Sequence, residues 1–424
     1  MSEKGDVIMR FIEGGVCAAQ GFKAAAMHVG VKTHAVWKKD LALIVSNVDC
    51  AAAAMFTQNV VRAAPVLVSM KHLADGRARA IIVNSGNANA CAPNGEENAE
   101  RMCRVAAEAI GCKPENVAVA STGVIGQTLK ISVIEEGVPA LHKVLERSNE
   151  ASDAAAHAIM TTDTVIKEAA VETVIGGKTV RIGGIAKGGG MIHPNMGTML
   201  CFLTTDCSIS PEMVDAALRE TVRMTFNRIS VDGETSTNDT CLILANGLAG
   251  NDAIAAEGAD YEAFLDALKT LCTHLVKKMA ADGEGCRHLI TCSVTGAADE
   301  VQAETITKSV ISSILVKAAI FGADANWGRV LCAMGYSGAK FDPEKVDVSF
   351  ASAAGHIAVC RQGRGLDFDE DLAQMILTEH DVEIHISMGE GAGSCTCWGC
   401  DITYDYIKVN GNYRNRPQIE KPKR

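Results

Sequence analysis

Lys187-Gly-Gly-Gly-Met-Ile-His-Pro-Asn-Met-Gly-Thr-Met-Leu-Cys-Phe-Leu-Thr-Thr-Asp206 is the stretch on which the reading of this chain turns. Its first half holds three consecutive glycines and a proline. Glycine accepts positive φ, and proline fixes φ and donates no hydrogen bond, so an irregular loop is predicted there. Its second half, 198–203, is a short apolar run opening on a β-branched residue and reads as a buried strand. A threonine therefore stands where a strained loop becomes a strand. A backbone cut between Gly197 and Thr198 would expose Thr198 as a new N-terminus, whose α-amine can serve as the base for its own hydroxyl. The spacing alone favours the plainer reading, in which Gly197-Thr198 simply starts a strand.

Working outward, further motifs follow in order: Asn84-Ser-Gly-Asn-Ala-Asn89, Ser121-Thr-Gly-Val124, Ala158-Ile-Met-Thr-Thr-Asp-Thr164, Asp232-Gly-Glu-Thr-Ser-Thr-Asn-Asp239, Asp282-Gly-Glu-Gly285, Asn326-Trp-Gly-Arg329 and Cys400-Asp-Ile-Thr-Tyr-Asp-Tyr406. Together with the glycine-rich stretch, this series resembles the ornithine acetyltransferase family of arginine biosynthesis, also known as bifunctional glutamate N-acetyltransferases. Members of that family cleave themselves before the threonine. The resemblance runs from about residue 20 to 415.

Composition sets independent bounds. A chain of 424 residues, 48% hydrophobic, can bury a substantial core in two or more lobes. Its net charge is −11, with no basic cluster before the tail, which argues against a nucleic-acid groove. Small molecules are the expected partners. The N-terminal Met1-Ser-Glu-Lys-Gly-Asp6 carries acids and no long apolar core follows, so neither a signal peptide nor a membrane span is expected, and a cytoplasmic location is. Most of the 16 cysteines sit singly in apolar runs and read as core residues of a reducing compartment. Cys395-Thr-Cys397-Trp-Gly-Cys400 is the exception, but no fourth ligand stands near it, so core packing is preferred over a metal site.

Taken in order, the first third reads as strand-rich, with strands expected over 41–45, 66–70, 80–84 and 117–120 and a helix over 97–110 stopped by Gly111. A hairpin is expected over 171–182, turning at Gly176-Gly177-Lys178. This Gly-Gly-Lys-Thr is no phosphate loop, because Glu172 occupies the position of the first Walker glycine. No dinucleotide register or hydrolase elbow is found either, so no cofactor is expected. Helices are expected from Pro211, capped by Ser210, to about 224, over 261–281 and over 301–321. Strands near 241–245, 288–294, 346–350, 357–360 and 382–387 complete an α/β fold of helices layered on mixed or antiparallel sheets, not a Rossmann fold. His193, before Pro194, is read as a structural loop residue.

The resemblance implies the chemistry. Thr198 is the nucleophile toward N-acetylornithine, and Thr122 and Gly123, at a turn directly after a strand, match the oxyanion pair. Ornithine leaves an acetyl-threonine, and glutamate takes the acetyl group in a ping-pong cycle. Thr161, Lys187, Thr198, Glu284 and Asn410 match substrate contacts, and Asn415 stands where the family commonly has a hydroxyl residue. The implied domains are an α chain of residues 1–197 and a β chain of residues 198–424 with a disordered tail from 416, in an assembly of two copies of each. Some members also accept acetyl from acetyl-CoA, and no residue here decides that point. Gly197 replaces the usual alanine, and Cys286 and Arg287 replace a small residue and lysine. Two alternatives stay open: a self-processing aminopeptidase or amidohydrolase in which water resolves the acyl-enzyme, and an uncleaved amino-acid-binding protein.

Overall fold

The computed structural model describes residues 9–33, 37–193 and 199–412 and divides into two compact units, Met1–Met279 and Ala280–Arg424. In the first unit the chain runs β1 (Arg10–Ile12), β2 (Phe22–Met27), β3 (Leu41–Phe56), α1 (Ala64–His72), β4 (Arg77–Asn87), α2 (Gly95–Ile110), β5 (Val117–Val124), α3 (Ile131–Lys143) and α4 (Asn149–Ile159). It continues through β6 (Lys167–Ile175), β7 (Lys178–Lys187), β8 (Leu200–Thr205), α5 (Pro211–Met224), the two-residue β9 (Ile229–Ser230), β10 (Thr240–Ala245) and α6 (Ala259–Ala281). One mixed sheet takes the order β1-β6-β7-β8-β10-β3-β4-β5, with β2 beside β3. The pairs β4–β5 and β8–β10 are parallel and the rest antiparallel.

The sheet is apolar on both faces because helices cover both, as period-two alternation requires. Ala42, Ile44, Ile81, Val83, Phe202 and Leu242 pack on one side with Ala155 and Ile159 of α4. Their neighbours Leu41, Leu43, Ala80, Ile82 and Val119 turn to the other, against Val68 of α1, Met102 and Ala106 of α2, and Ile134 and Val138 of α3. Burying a side chain such as Met102 contributes about 2 kcal/mol. Gly111, left-handed at φ +74°, ends α2 with its N–H on Ala107 O, as expected from its place after the periodic run.

Three expectations need correction. Val66–Met70 is not a strand but the body of α1, and Pro65 at the helix start outweighs the β-branched character of the run. The strand-rich first third also contains α3, and α4 follows it. The helix expected over 301–321 is two helices, separated at Ser313, which sits at φ −68°, ψ 115° and whose hydroxyl accepts from Val316 N–H.

The second unit holds β11 (Leu289–Ala297), α7 (Glu300–Ser312), α8 (Ile314–Phe321), α9 (Trp327–Gly335), β12 (Asp347–Ser352), β13 (Gly355–Arg361) and β14 (Arg364–Gly365). After them come α10 (Glu370–Thr378), β15 (Asp381–Ser387), β16 (Gly393–Cys400) and α11 (Tyr404–Gly411). Its strands run β14-β13-β12-β15-β11-β16, with β11 and β15 parallel. One face carries a core of Ile290, Val310, Val348, Phe350, Ile376 and Ile384. Cys395 and Cys397 of β16 belong to that core, their Sγ atoms 3.8 Å apart. The architecture is the expected α/β one, helices on mixed sheets.

Candidate active site

Strands β4 and β5 run side by side in register until Gly86 and Gly123 face each other, where the ladder breaks. Gly123 has φ +134°, and a Cβ on it would stand 2.3 Å from Gly86 C and 2.5 Å from Asn87 N. No other residue fits there. Polar side chains fix this break. Ser121 Oγ donates to Asn84 Oδ1 (2.6 Å), Asn84 Nδ2 donates to Asn87 O (2.9 Å), and Asn238 Nδ2 donates to Ala88 O (2.6 Å) and Ser121 O (2.9 Å).

Lys187, the last residue of β7, is 4% exposed, and its Nζ donates to Thr122 Oγ1 (3.3 Å) and Thr161 Oγ1 (3.0 Å). Thr122 thereby accepts from Lys187 and keeps its own hydroxyl proton to donate. Just past α4, Asp163 organises this corner. Its Oδ1 accepts from Lys167 Nζ (2.5 Å) and Gly188 N–H (2.7 Å), and its Oδ2 from Thr161 N–H (3.0 Å). Burial alone would push the Asp163 carboxyl up, but the Lys187 and Lys167 ammoniums and the Gly188 amide hold it well below the usual carboxylate range.

The flanks of the glycine-rich stretch are tied down. Asp232 accepts from Met191 N–H (2.5 Å) and Ile192 N–H (2.8 Å), and His193 Nδ1 lies 3.1 Å from Ser230 Oγ, in keeping with a structural role in the loop. Beyond it, Met199 O accepts from Thr240 N–H (3.0 Å) at the head of the parallel pair β8–β10. The strand expected over 198–203 is β8, Leu200–Thr205. Gly197 and Thr198 lie outside the described residues, as does Asn415.

In the second unit, Glu284 and Asn410 come together. Asn410 Nδ2 donates to Glu284 Oε2 (2.7 Å), and Glu284 is 9% exposed. The turn carrying it is held by Thr403 Oγ1 donating to Gly285 O (2.6 Å). Asp401 accepts from Arg287 N–H (2.8 Å) and His288 N–H (3.1 Å), with His288 Nδ1 2.8 Å from its other oxygen. Gly285, at φ +71°, has room for no side chain, since a Cβ would be 2.7 Å from Tyr406 N.

Thus Thr122, Gly123, Thr161 and Lys187 form one cluster and Glu284 and Asn410 another. Sequence reasoning passed over Asp163 and Asn238, although both stand inside the quoted motifs. Asp239 was missed too. It is 1% exposed, neither carboxylate oxygen has a hydrogen-bond partner among the described residues, and burial pushes its carboxyl well above the ordinary range against the weaker pull of the Met199 amide, Thr57 and Lys187.

A strand-end turn with buried hydroxyl and ammonium donors, on a mixed α/β sheet, is an arrangement suited to holding a developing oxyanion, as acyl-transfer enzymes require. The chain belongs to the ArgJ family, whose sequence profile matches residues 23–415. It is 49% identical over 407 residues to the arginine biosynthesis bifunctional protein ArgJ of Symbiobacterium thermophilum, covering 96% of this chain and 100% of that protein. It is also similar to the crystal structure of ArgJ from Bacillus halodurans, with 43% identity, 50% of this chain and 98% of that chain covered, and a TM-score of 0.48. Ornithine acetyltransferase of Mycobacterium tuberculosis, solved with ornithine, matches at 38% identity, 44% and 98% coverage and a TM-score of 0.40. The chain is accordingly an enzyme of arginine biosynthesis, a glutamate N-acetyltransferase.

Proposed function

We propose that the chain cuts itself between Gly197 and Thr198 and that Thr198 then carries acetyl from N-acetylornithine to glutamate. The α-amine accepts the hydroxyl proton as Oγ attacks the acetyl carbonyl, and the Thr122 hydroxyl and Gly123 amide take the developing oxyanion. Ornithine leaves with the proton, and glutamate's amine attacks the acetyl-threonine to give N-acetylglutamate and restore the free hydroxyl. Lys187 and Thr161 hold the carboxylate that both amino acids share, a charge-assisted contact. By the family resemblance Glu284 and Asn410 also match substrate contacts, and Asn415 takes the position of the family's hydroxyl residue. In this reading acetyl-CoA loads the same threonine as an alternative donor, coenzyme A leaving in place of ornithine. The enzyme acts in the cytoplasm as two copies of each fragment and needs no metal or other cofactor.

The observation that supports this best is the convergence of the Lys187 ammonium on the Thr122 and Thr161 hydroxyls beside a position that admits glycine alone. Among the described residues no helix is long and apolar enough to cross a membrane. The test is the denatured intact mass with N-terminal sequencing, followed by product analysis with and without glutamate. Fragments 1–197 and 198–424 and glutamate-dependent ornithine release support the reading. An uncut chain sinks it, and release of free acetate at the same rate without glutamate assigns a hydrolase instead.

A further inference from the structure

Lys32 lies in the loop between β2 and β3, outside every motif that marks the family resemblance. Its Nζ donates to Met160 O (2.9 Å), the residue before Thr161, and to Lys39 O (3.0 Å). Its stem presses on the oxyanion turn, since a Cβ on Gly86 would stand 2.7 Å from Lys32 Cγ, and Gly86 is the register partner of Gly123. The side chain therefore runs from Gly86 to Met160, whose neighbour Thr161 accepts from Lys187.

The half-buried ammonium has carbonyl partners and no carboxylate of its own among the described residues. Both nearby acids are committed. Asp40 accepts from Val29 N–H (2.7 Å), Gly30 N–H (3.2 Å) and Lys32 N–H (2.9 Å), with His28 Nδ1 3.1 Å away, and Asp163 serves Lys167, Gly188 and Thr161. A lysine has three N–H donors, and two are used. A site that accepts glutamate needs a cation for its side-chain carboxylate.

Resting on the acetyl-transfer reading above, we propose that Lys32 is the residue that adapts the pocket to its acceptor, its third N–H binding the side-chain carboxylate of glutamate. Burial, reinforced by Lys38 and Lys187 and opposed by Asp40 and Asp163, lowers its pKa from 10.5 to about 8, so the charge is lost as pH climbs through that value. Because the charged form binds glutamate, the KM for glutamate rises as pH climbs through that value.

The test uses the full-length processed enzyme, with fragments confirmed by mass, as wild type, Lys32→Met and Lys32→Arg. Ornithine release in a single turnover from N-acetylornithine is measured separately from steady-state transfer to glutamate and to glutamine. The expected result is a rise of about tenfold or more in glutamate KM for Lys32→Met, loss of the preference for glutamate over glutamine, an ornithine burst within about twofold of wild type, and recovery in Lys32→Arg. Unchanged glutamate KM and unchanged preference in Lys32→Met overturn the proposal. Should Lys32→Met fail to fold, the wild-type profile decides: a glutamate KM flat between pH 7 and 9 also overturns it. No ornithine burst in the wild type would instead refute the acetyl-transfer reading itself.

Discussion

Gly123 shows how far one missing carbon can determine a site. At φ +134°, with the Gly86 carbonyl carbon 2.3 Å from where a Cβ would stand, alanine must push the two strands apart. Gly123→Ala is expected to lower kcat for acetyl transfer about 10²-fold or more, with a stability loss of about 1–3 kcal/mol, read by kinetics and by urea titration. A variant with wild-type kcat would remove Gly123 from the proposed oxyanion pair. Two buried carboxyls near it act on stability with opposite sign. Asp163 is held below its unfolded value despite its burial, by Lys187, Lys167 and Gly188, so its contribution is fully present above about pH 4 and is lost as pH falls further. Asp163→Asn leaves the fully buried Lys167 ammonium without its carboxylate and is expected to cost about 3–5 kcal/mol at pH 7. Asp239 is raised instead, by burial, so the folded state binds the extra proton and stability declines as pH rises above about 4. Asp239→Asn is therefore expected to raise the Tm at pH 7 and to leave it unchanged at pH 3. A lower Tm at pH 7 would mean that the charged carboxylate has a partner after all.

At the scale of elements, legibility followed how local the signal was. The hairpin of β6 and β7 was readable because Gly176 and Gly177 supply positive φ at adjacent positions, +56° and +72°, closing Ile175 on Lys178. α5 was readable from Ser210 and Pro211, and Ser210 Oγ does accept from Met213 N–H. α1 was not, because Val66, Leu67 and Val68 have strand character and its burial against β5 is set by tertiary contacts such as Ser69 Oγ donating to Val119 O (2.7 Å). The same holds for the site. The turn at Thr122 and Gly123 was visible after a buried strand, its oxyanion role being implied only by the family resemblance, whereas Asp163 reaches Gly188 and Lys32 reaches Met160, both distant in sequence. The break between α7 and α8 was missed because serine inside a helical pattern carries no periodicity signal. There the hydroxyl of Ser313 caps α8 by accepting from Val316 N–H, so Ser313→Ala is expected to cost about 1 kcal/mol in chemical denaturation. A cost near zero would show that α7 and α8 join into one helix without that cap.

At the scale of the molecule, the proposed cut and the compact units do not coincide. The units divide at Met279 and Ala280, whereas residue 197 falls inside the first unit. Its sheet is built from both proposed fragments in alternation: β6 and β7 precede the cut, β8 and β10 follow it, and β3, β4 and β5 precede it again. β8 pairs with β7 from Ile182–Thr205 to Lys187–Leu200, and β10 pairs with β3 from Thr240–Phe56 to Ala245–Ala51. The strands of the second fragment are thus bonded to the first on both sides, and Phe202 and Leu242 share a core with Ile44 and Ile185. Separating the fragments would open two complete ladders and expose that core, which is as costly as unfolding the unit. Cleavage is therefore expected to leave the two pieces inseparable in native buffer, co-eluting on size exclusion and parting only at the urea concentration of the main unfolding transition. Thr198→Ala should remain a single uncut chain and elute at the same native position. Fragments that separate without denaturant would contradict this sheet order.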